Sequence, residues 1–325
     1  YNISLGKKFT NGFIRNNHDV LEISDRDFIK TNRTWSFNTP KKVFQNYLIS
    51  TFKNYNPDIL FFGHTKNIDI ETIHEMKAKN KNLIISHWNE DPIMKGLDYS
   101  LKNIKNIDLY SDIVDHNFIT THPSVLKKKN DNFHYFFIPV DRNIESYNVY
   151  NLNPKKDIFY AMSHGVNRAT LKSGVEDDRI YFLNKLIKKI DNIKYDFYGF
   201  ANKQPIWGVD FFNALINSKM GLNLSRGNPT KYYSSNRIAS IMGNGLLTFI
   251  DQNVQMSHFF NNNEIIFYSN INDLAEKIKF YSKNDKLWRT IASNGQKKYF
   301  RLFNESKIAK YIIDVSIGKN TNLFK

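Results

Sequence analysis

Short apolar runs ending in polar clusters alternate with stretches whose apolar residues fall three and four apart, and the alternation occurs twice along the 325 residues. In the first half "HDVLEIS", "PDILFFGH", "KNLIISHWNED", "NFITTH" and "HYFFIP" have the length and composition of buried strands, while "TPKKVFQNYLISTFKNY" and "IDIETIHEMKAKN" have helical spacing. Strands that are apolar on both faces, each followed by an amphipathic helix, pack as parallel α/β sheets. Such sheets bind ligands outside the carboxyl ends of their strands, where these polar clusters lie.

Around "PVDRNIESYNVYNLNPKKD" the periodicity stops and two prolines bracket a polar stretch, after which the pattern restarts. This sets a boundary near residue 150, with one α/β domain over 1–150 and a second over 151–305. The second runs through "DIFYAMS", "EDDRIYFLNKLIKKI", "KYDFYGF", "GVDFFNALINS", "MGLNLS", "SSNRIASIMGN", "LLTFID" and "EIIFYS" to two further helices. Residues 306–325 contain a last helix, "ESKIAKYIIDVSI", expected to cross back to the first domain. A chain of this length exceeds what one hydrophobic core normally serves, so two domains agree with size as well as pattern.

Without cysteine the chain has neither a disulfide framework nor a thiolate metal site, and a cytoplasmic setting is expected. No apolar run approaches the roughly 20 residues of a bilayer span, and no signal-peptide pattern opens the sequence. The formal net charge of +15 favours anionic partners: nucleotides, acidic glycans, an anionic membrane surface or nucleic acid. The lysines are spread among asparagines as solvated faces ("MKAKNKNL", "VLKKKNDN"), and the aromatic residues sit in strand patterns instead of basic-aromatic platforms. Specific nucleic-acid binding is therefore not expected.

One stretch breaks the pattern. "LNLSRGNPTKYYSSNRIASIMGNGLLTFID", residues 222–251, leaves a strand and places Arg226, Lys231 and Arg237 with a row of hydroxyls at a loop-to-helix junction before the next strand. Ser234 and Ser235 read as helix caps beside N–H groups that suit an anion, or as plain caps with solvated basic neighbours. In the first half "SHWNEDP" brings His87 and Asp91 to a strand end, and His64 and His122 end neighbouring strands. The acidic pairs in "EDDR" and "EDP" read as helix-start devices, so no metal is expected.

The ordered blocks "YDFYGF", "DFFNALINSKMGLNLS", "SSNRIASIMGNGLLTFID", "NNNEIIFYSNINDLAEKIKFYSKND" and "IASNGQKKY" resemble the C-terminal half of GT-B glycosyltransferases, nearest the CgeB-like branch of the group 1 and family 4 enzymes. "NNHDVLEISDRD", "NPDILFFGH" and "SHWNEDP" resemble that branch more loosely. The resemblance implies two Rossmann-like domains facing across a cleft and transfer of a sugar from a nucleotide-activated donor to a glycan or lipid-linked glycan acceptor. Cell-surface polysaccharide or lipopolysaccharide synthesis at the inner face of the membrane is the implied setting. It also implies metal independence with no cofactor, the diphosphate being met by Arg226, Lys231, Ser234, Ser235 and Arg237. A second basic loop, "SHGVNRATLKSG", contributes Ser163, His164, Gly165, Arg168 and Lys172 by the same implication. Asp91 or His87 would then serve as general base on the acceptor. A nucleotide-sugar epimerase of the same fold is the alternative within the resemblance, and a basic nucleic-acid-binding protein the alternative outside it. The chain departs from the family at two places: aligning Arg237 and Gly245 with R-x-F-E-A-x-x-x-G puts Ser240 and Tyr232 where two glutamates belong. Asn236, Asn244 and Glu264 are the candidates to hold the ribose instead.

Overall fold

The computed structural model describes residues 4–33, 38–63, 65, 67–93, 98–126, 132–162 and 177–324. Contacts group the chain into two units, one of Gly12–Phe136 with Ala309–Lys325 and one of Tyr1–Asn11 with Phe137–Ile308. The helices are α1 (Leu5–Arg15), α2 (Asp25–Thr31), α3 (Asn38–Tyr55), α4 (Ile70–Lys79), α5 (Asp98–Asp108), α6 (Asp178–Ile187), α7 (Gly208–Ile216), α8 (Asn236–Gly243), α9 (Ile271–Lys283), α10 (Asp285–Phe303) and α11 (Glu305–Ser316).

The first unit carries a parallel sheet in the order β1 (Ile59–Gly63), β2 (Ile84–Asn89), β3 (His116–Ile119), β4 (Phe133–Tyr135). Register is set by pairs such as Ile59 with Ile84 and Ser86 with His116. Phe44, Leu48 and Phe52, spaced four apart on α3, pack with Ile73 and Met76 of α4 against Phe62 and Ile85. The run "HDVLEIS" forms no strand, and Leu21 within it is exposed. Ser24, at its end, accepts from the Asp27 N–H at 3.3 Å and starts α2, so a local cap takes the chain out of extended structure before it can pair.

The second unit holds five parallel strands in the order β6 (Tyr195–Tyr198), β5 (Lys156–Ala161), β7 (Ser218–Asn223), β8 (Leu247–Asp251), β9 (Ile266–Tyr268). From β5 the chain goes to one side to build β6, then returns to the other side to build β7. The β5–β7 boundary is therefore the switch point of the sheet, where the two following helices diverge and leave a crevice. Ile158 pairs with Met220, Met220 with Leu247 and Phe249 with Ile266, and these strands are fully or nearly buried. Helix α8 lies close on β7 because position 221 is glycine, where a Cβ would overlap Ile241.

The contacts divide the chain between residues 136 and 137, earlier than the expected break near 150. The intervening segment is fastened to the second unit along its length. Phe137 stacks on Phe303 at 4.4 Å, the Ile138 N–H donates to Ser234 Oγ at 3.1 Å, and the Val149 N–H donates to the Asn244 carbonyl at 3.0 Å. The segment also receives α1: Lys8, fully buried, donates to Glu145 at 2.6 Å and to the Pro139 carbonyl at 3.0 Å, while Asn11 donates to Asp141 at 2.6 Å. Irregular backbone with many polar residues passes for a linker in sequence. Here several of its polar groups find partners within the second unit.

Candidate functional site

The carboxyl ends of β5 and β7 carry a cluster of arginines. Tyr160, in β5, donates its hydroxyl to the Leu224 carbonyl just past β7 at 3.1 Å, which pins the two strand ends together. Asp177 sits at the N-cap of α6 with 0% exposure and accepts from the Arg179 N–H at 3.1 Å. Arg179, 6% exposed, returns to the same carboxylate with Nε at 2.9 Å and Nη2 at 2.6 Å, a bidentate pair. Arg226, from the loop after β7, reaches that carboxylate with Nη2 at 3.2 Å. Arg237, in the first turn of α8, lies with its guanidinium 5.4 Å from the centre of the Tyr160 ring and has no ion pair among the described residues. Its Nε is buried without a hydrogen-bond partner.

Burial alone would raise the Asp177 carboxyl, but hydrogen bonds and charge from Arg179, with the charge of Arg226 behind them, hold it far below the usual carboxylate range. It is an anion at any working pH. Two guanidinium groups thus close on one carboxylate while the third, that of Arg237, lies on the neighbouring Tyr160 ring; Asp178 accepts from the Gly227 N–H at 2.6 Å. That bond ties the loop after β7 to the start of α6, with Gly227 taking the left-handed turn (φ 72°) this needs. The site therefore holds excess positive charge on a rigid frame, at the strand ends where such folds place their ligands.

Helix α8 adds its N-terminus. Ser235 occupies the N-cap position but its hydroxyl makes no cap and donates to Asn223 Oδ1 at 3.4 Å. The expected side-chain cap thus does not form, and the Ile238 N–H turns back to the Ser235 carbonyl at 3.1 Å. Ser234 is fully buried and accepts from the Ile138 N–H, which makes it a fastener of the preceding segment instead of a ligand-facing hydroxyl. Asn236 opens α8 beside Arg237, half-buried. Lys231 is half-buried with its Nζ 5.0 Å from the Tyr232 ring centre.

The residues weighed for the ribose lie differently from the alignment. Ser240 is 3% exposed inside the buried face of α8. Asn244 is fully buried, donating to the Ser240 carbonyl at 2.8 Å and accepting from the Tyr147 N–H at 3.2 Å. Glu264 accepts from the Asn261 N–H at 3.0 Å and pairs with Lys298 at 3.3 Å. All three hold backbone or helix ends in place. His164, Gly165, Arg168 and Lys172, with Ser163, lie outside the described residues, as does His64.

In the first unit Asp91 follows the end of β2, half-buried in a turn in which its N–H donates to Asn89 Oδ1 at 3.3 Å. His87 lies inside β2 and is 4% exposed, its ring 5.2 Å from Phe62 and 5.9 Å from Tyr110, with Nδ1 3.3 Å from Asn117 Oδ1. It is a core histidine, because the strand runs two residues past it before the loop begins. His122 caps a short 3₁₀ turn, accepting from the Ser124 N–H at 3.2 Å.

Asp177, Arg179 and Tyr160 were not among the residues singled out in sequence. One signal was present: Arg179 occupies the same helical stripe as Leu183 and Leu186, an apolar face where a guanidinium has no place unless a buried partner or ligand waits for it.

Residues 179–314 match a family described as glycosyl transferase-like. A comparison with curated proteins returns no match. Among solved structures, HepE of Anabaena in complex with UDP-glucose aligns with a TM-score of 0.57 and 11% identity over 83% of this chain and 81% of its own. A glycosyltransferase from Rickettsia africae aligns at 0.57 and 12% identity, covering 96% of this chain and 88% of its own. TarM aligns at 0.55 and 14% identity over 84% of this chain, which spans 58% of TarM's length. MnaA of S. aureus, solved with UDP, aligns at 0.53 and 10% identity over 99% of this chain and 96% of its own. At these identities the likeness establishes the fold: two Rossmann-like α/β domains of the GT-B type.

Proposed function

We propose that this chain is a glycosyltransferase that takes its sugar from a nucleoside diphosphate donor, a uridine one in the first instance, and that the β5–β7 crevice receives the diphosphate. The observation that carries the reading is the cluster of Arg179 and Arg226 on the buried carboxylate of Asp177, with Arg237 on the adjoining Tyr160 ring at the start of α8, the three arginines lying within the segment matched to the glycosyl transferase-like family. The UDP and UDP-glucose held by its structural neighbours support the choice of nucleotide.

As the bond from the anomeric carbon to the β-phosphate oxygen breaks, negative charge builds on the leaving diphosphate. Arg226 and Arg237, at the loop after β7 and the start of α8, are placed to meet that charge as it forms. Such donors neutralise a diphosphate without calling for a metal ion. Lys231, Asn236 and the loop residues His164, Gly165, Arg168 and Lys172 are proposed to complete the shell. On the acceptor side we assign the general base of an inverting reaction to Asp91: the acceptor oxygen bonds to the anomeric carbon while its proton passes to the carboxylate. The acceptor is proposed to be a glycan or lipid-linked glycan of the cell surface, and the charge of +15 supports work against an anionic membrane face.

Calorimetric titration tests the reading. UDP should bind and uridine should bind far more weakly. Arg226→Ala should weaken UDP at least about tenfold, the order of one charge-assisted contact. Equal affinities for UDP and uridine, or an Arg226→Ala protein that binds UDP unchanged, would reject it. The same crevice serves an epimerase equally well, and a putative-epimerase neighbour from Listeria monocytogenes aligns at 0.51 over 97% of this chain. Incubation of the enzyme with UDP-N-acetylglucosamine and no acceptor decides between them, because only an epimerase returns a second sugar stereoisomer.

A further inference from the structure

Two consecutive acids at the start of α6 hold two consecutive residues of the loop after β7: the carboxylate of Asp177 meets Arg226 Nη2 at 3.2 Å, and that of Asp178 accepts from the Gly227 N–H at 2.6 Å. One bond fixes a side chain, the other the backbone beside it. The frame around them is closed as well, since Tyr160 donates to the Leu224 carbonyl at 3.1 Å, two residues before Arg226, and Arg179 Nη1 lies 3.5 Å from the Tyr160 hydroxyl.

Asp177 is already served from its own helix: the Arg179 N–H and Nε meet Oδ1 at 3.1 and 2.9 Å, and Arg179 Nη2 meets Oδ2 at 2.6 Å. Capping α6 and neutralising Arg179 ask nothing of Arg226. Arg226 nevertheless arrives from a loop 49 residues on, makes the longer contact, and keeps 23% of its side chain exposed. Burial therefore does not explain the pairing; direction does. A long side chain in solvent must give up its rotamers when an anion binds, whereas one held by a buried carboxylate has given them up during folding. Asp177, an anion at 0% exposure, has no means of receiving a diphosphate itself, so whatever it does for one it does through Arg226. We propose that Asp177 is a positioning residue: it holds the Arg226 guanidinium in the orientation that meets the diphosphate, so that binding, and charge development on the leaving group, need no rearrangement of that side chain. The inference rests on the diphosphate reading above and adds to it the residue that keeps the arginine aimed.

The sign of one substitution decides. A buried anion that merely neighbours an anion site repels its ligand, so its loss tightens binding; a residue that aims Arg226 weakens binding when lost. UDP is titrated calorimetrically into wild type, Arg226→Ala, Asp177→Asn and Asp177→Asn/Arg226→Ala, with folding checked by thermal midpoint. The expected result is that Asp177→Asn weakens UDP about threefold to tenfold, the scale of one long side chain left to be immobilised on binding, and that the same change in Arg226→Ala weakens it no further. Asparagine keeps the N-cap but leaves Arg179 buried beside a neutral partner. Asp177→Asn/Arg179→Gln, which removes both charges, therefore takes its place if the single variant does not fold, with the same expected loss. A second readout needs no ligand: the Nε–H resonance of Arg226, identified by its absence in Arg226→Ala, should report an ordered side chain in wild type and an averaging one in either Asp177 variant. UDP affinity unchanged or raised without Asp177, an equal loss in the Arg226→Ala chain, or an Arg226 resonance that stays ordered would each overturn the proposal and leave the diphosphate reading standing. A wild type that does not bind UDP takes both down together.

Discussion

His116 and His134 face each other across β3 and β4, with Nδ1 of the first 3.1 Å from Nε2 of the second, so one N–H is shared between two rings and only one of them can be its donor. Burial, and then the charge of His116, push His134 down from its ordinary 6.5 to about 4; burial also lowers His116, against a smaller upward pull from Asp115. A histidine that resists protonation when folded takes its proton more readily when unfolded. Stability is therefore unaffected above pH 6.5, declines as pH falls from 6.5 toward 4, and levels below that. Urea midpoints measured from pH 7.5 to 4.5 should fall over that window, and His134→Gln, which stays neutral, should fall less; parallel profiles would remove the pair from the account. Residues of this kind show what sequence does and does not expose. Arg226 and Arg237 stood out because a loop between two buried strands has no structural need of cations. Asp177 did not, since its "EDDR" setting reads as a plain helix start, which it also is. His87 and Ser240 misled in the opposite direction, being polar residues near motif positions whose side chains turn out to be 4% and 3% exposed.

The element on which the site most depends is α8, an eight-residue helix too short to be stable by itself and held by packing. Ile238, Ile241 and Met242 are buried, and Ile241 lies over the bare backbone of Gly221 in β7. Gly221→Ala should therefore overpack the contact and destabilise the second unit by about 1–3 kcal/mol, read from a urea midpoint, with a companion loss of UDP affinity as the start of α8 is displaced. Ile241→Ala, which removes the atoms the new Cβ would meet, should cost less in that chain than it does alone; additivity of the two substitutions would mean they do not share the contact. All nine strands among the described residues coincide with apolar runs read in sequence, "HYFFIP" meeting β4 only at His134 and Tyr135, because buried parallel strands leave such runs. "HDVLEIS" has such a run and still forms no strand, for strand formation needs a neighbour to pair with and this run is followed at once by a capped helix. The bond from the Tyr232 N–H to the Val254 carbonyl at 2.8 Å, which joins the loop after β7 to the one after β8, left no trace in sequence, because a tyrosine at φ 58° looks like any other until the backbone is seen.

Across the whole molecule the charge of +15 invites a nucleic-acid reading that the localisation of the arginines does not support. Cations that serve a phosphate backbone are spread along a surface and act by releasing counterions, whereas Arg179 and Arg226 are committed to one buried carboxylate. A generic oligonucleotide should accordingly bind only weakly and be lost between about 50 and 200 mM salt, with UDP-glucose affinity changing far less over the same range. Tight oligonucleotide binding that UDP-glucose does not compete away would reverse that ordering. The net charge was open to view in the sequence; where it is concentrated was not, since lysines scattered among asparagines dominate the count and arginines dominate the site.

The buried pair of Lys8 and Glu145 has a bearing on how the protein comes to exist. The start of α1 belongs to the same unit as 137–308, so Lys8 leaves the ribosome with no home until a length of chain more than a hundred residues longer has followed it, and that home is not finished until α10 emerges. During synthesis Gly12–Phe136 is extruded whole in the interval, while Lys8 waits, hydrated, for a carboxylate not yet made. Docking of α1 thereby becomes a late closing step, and a chain lacking that helix inherits a buried glutamate with no counter-charge.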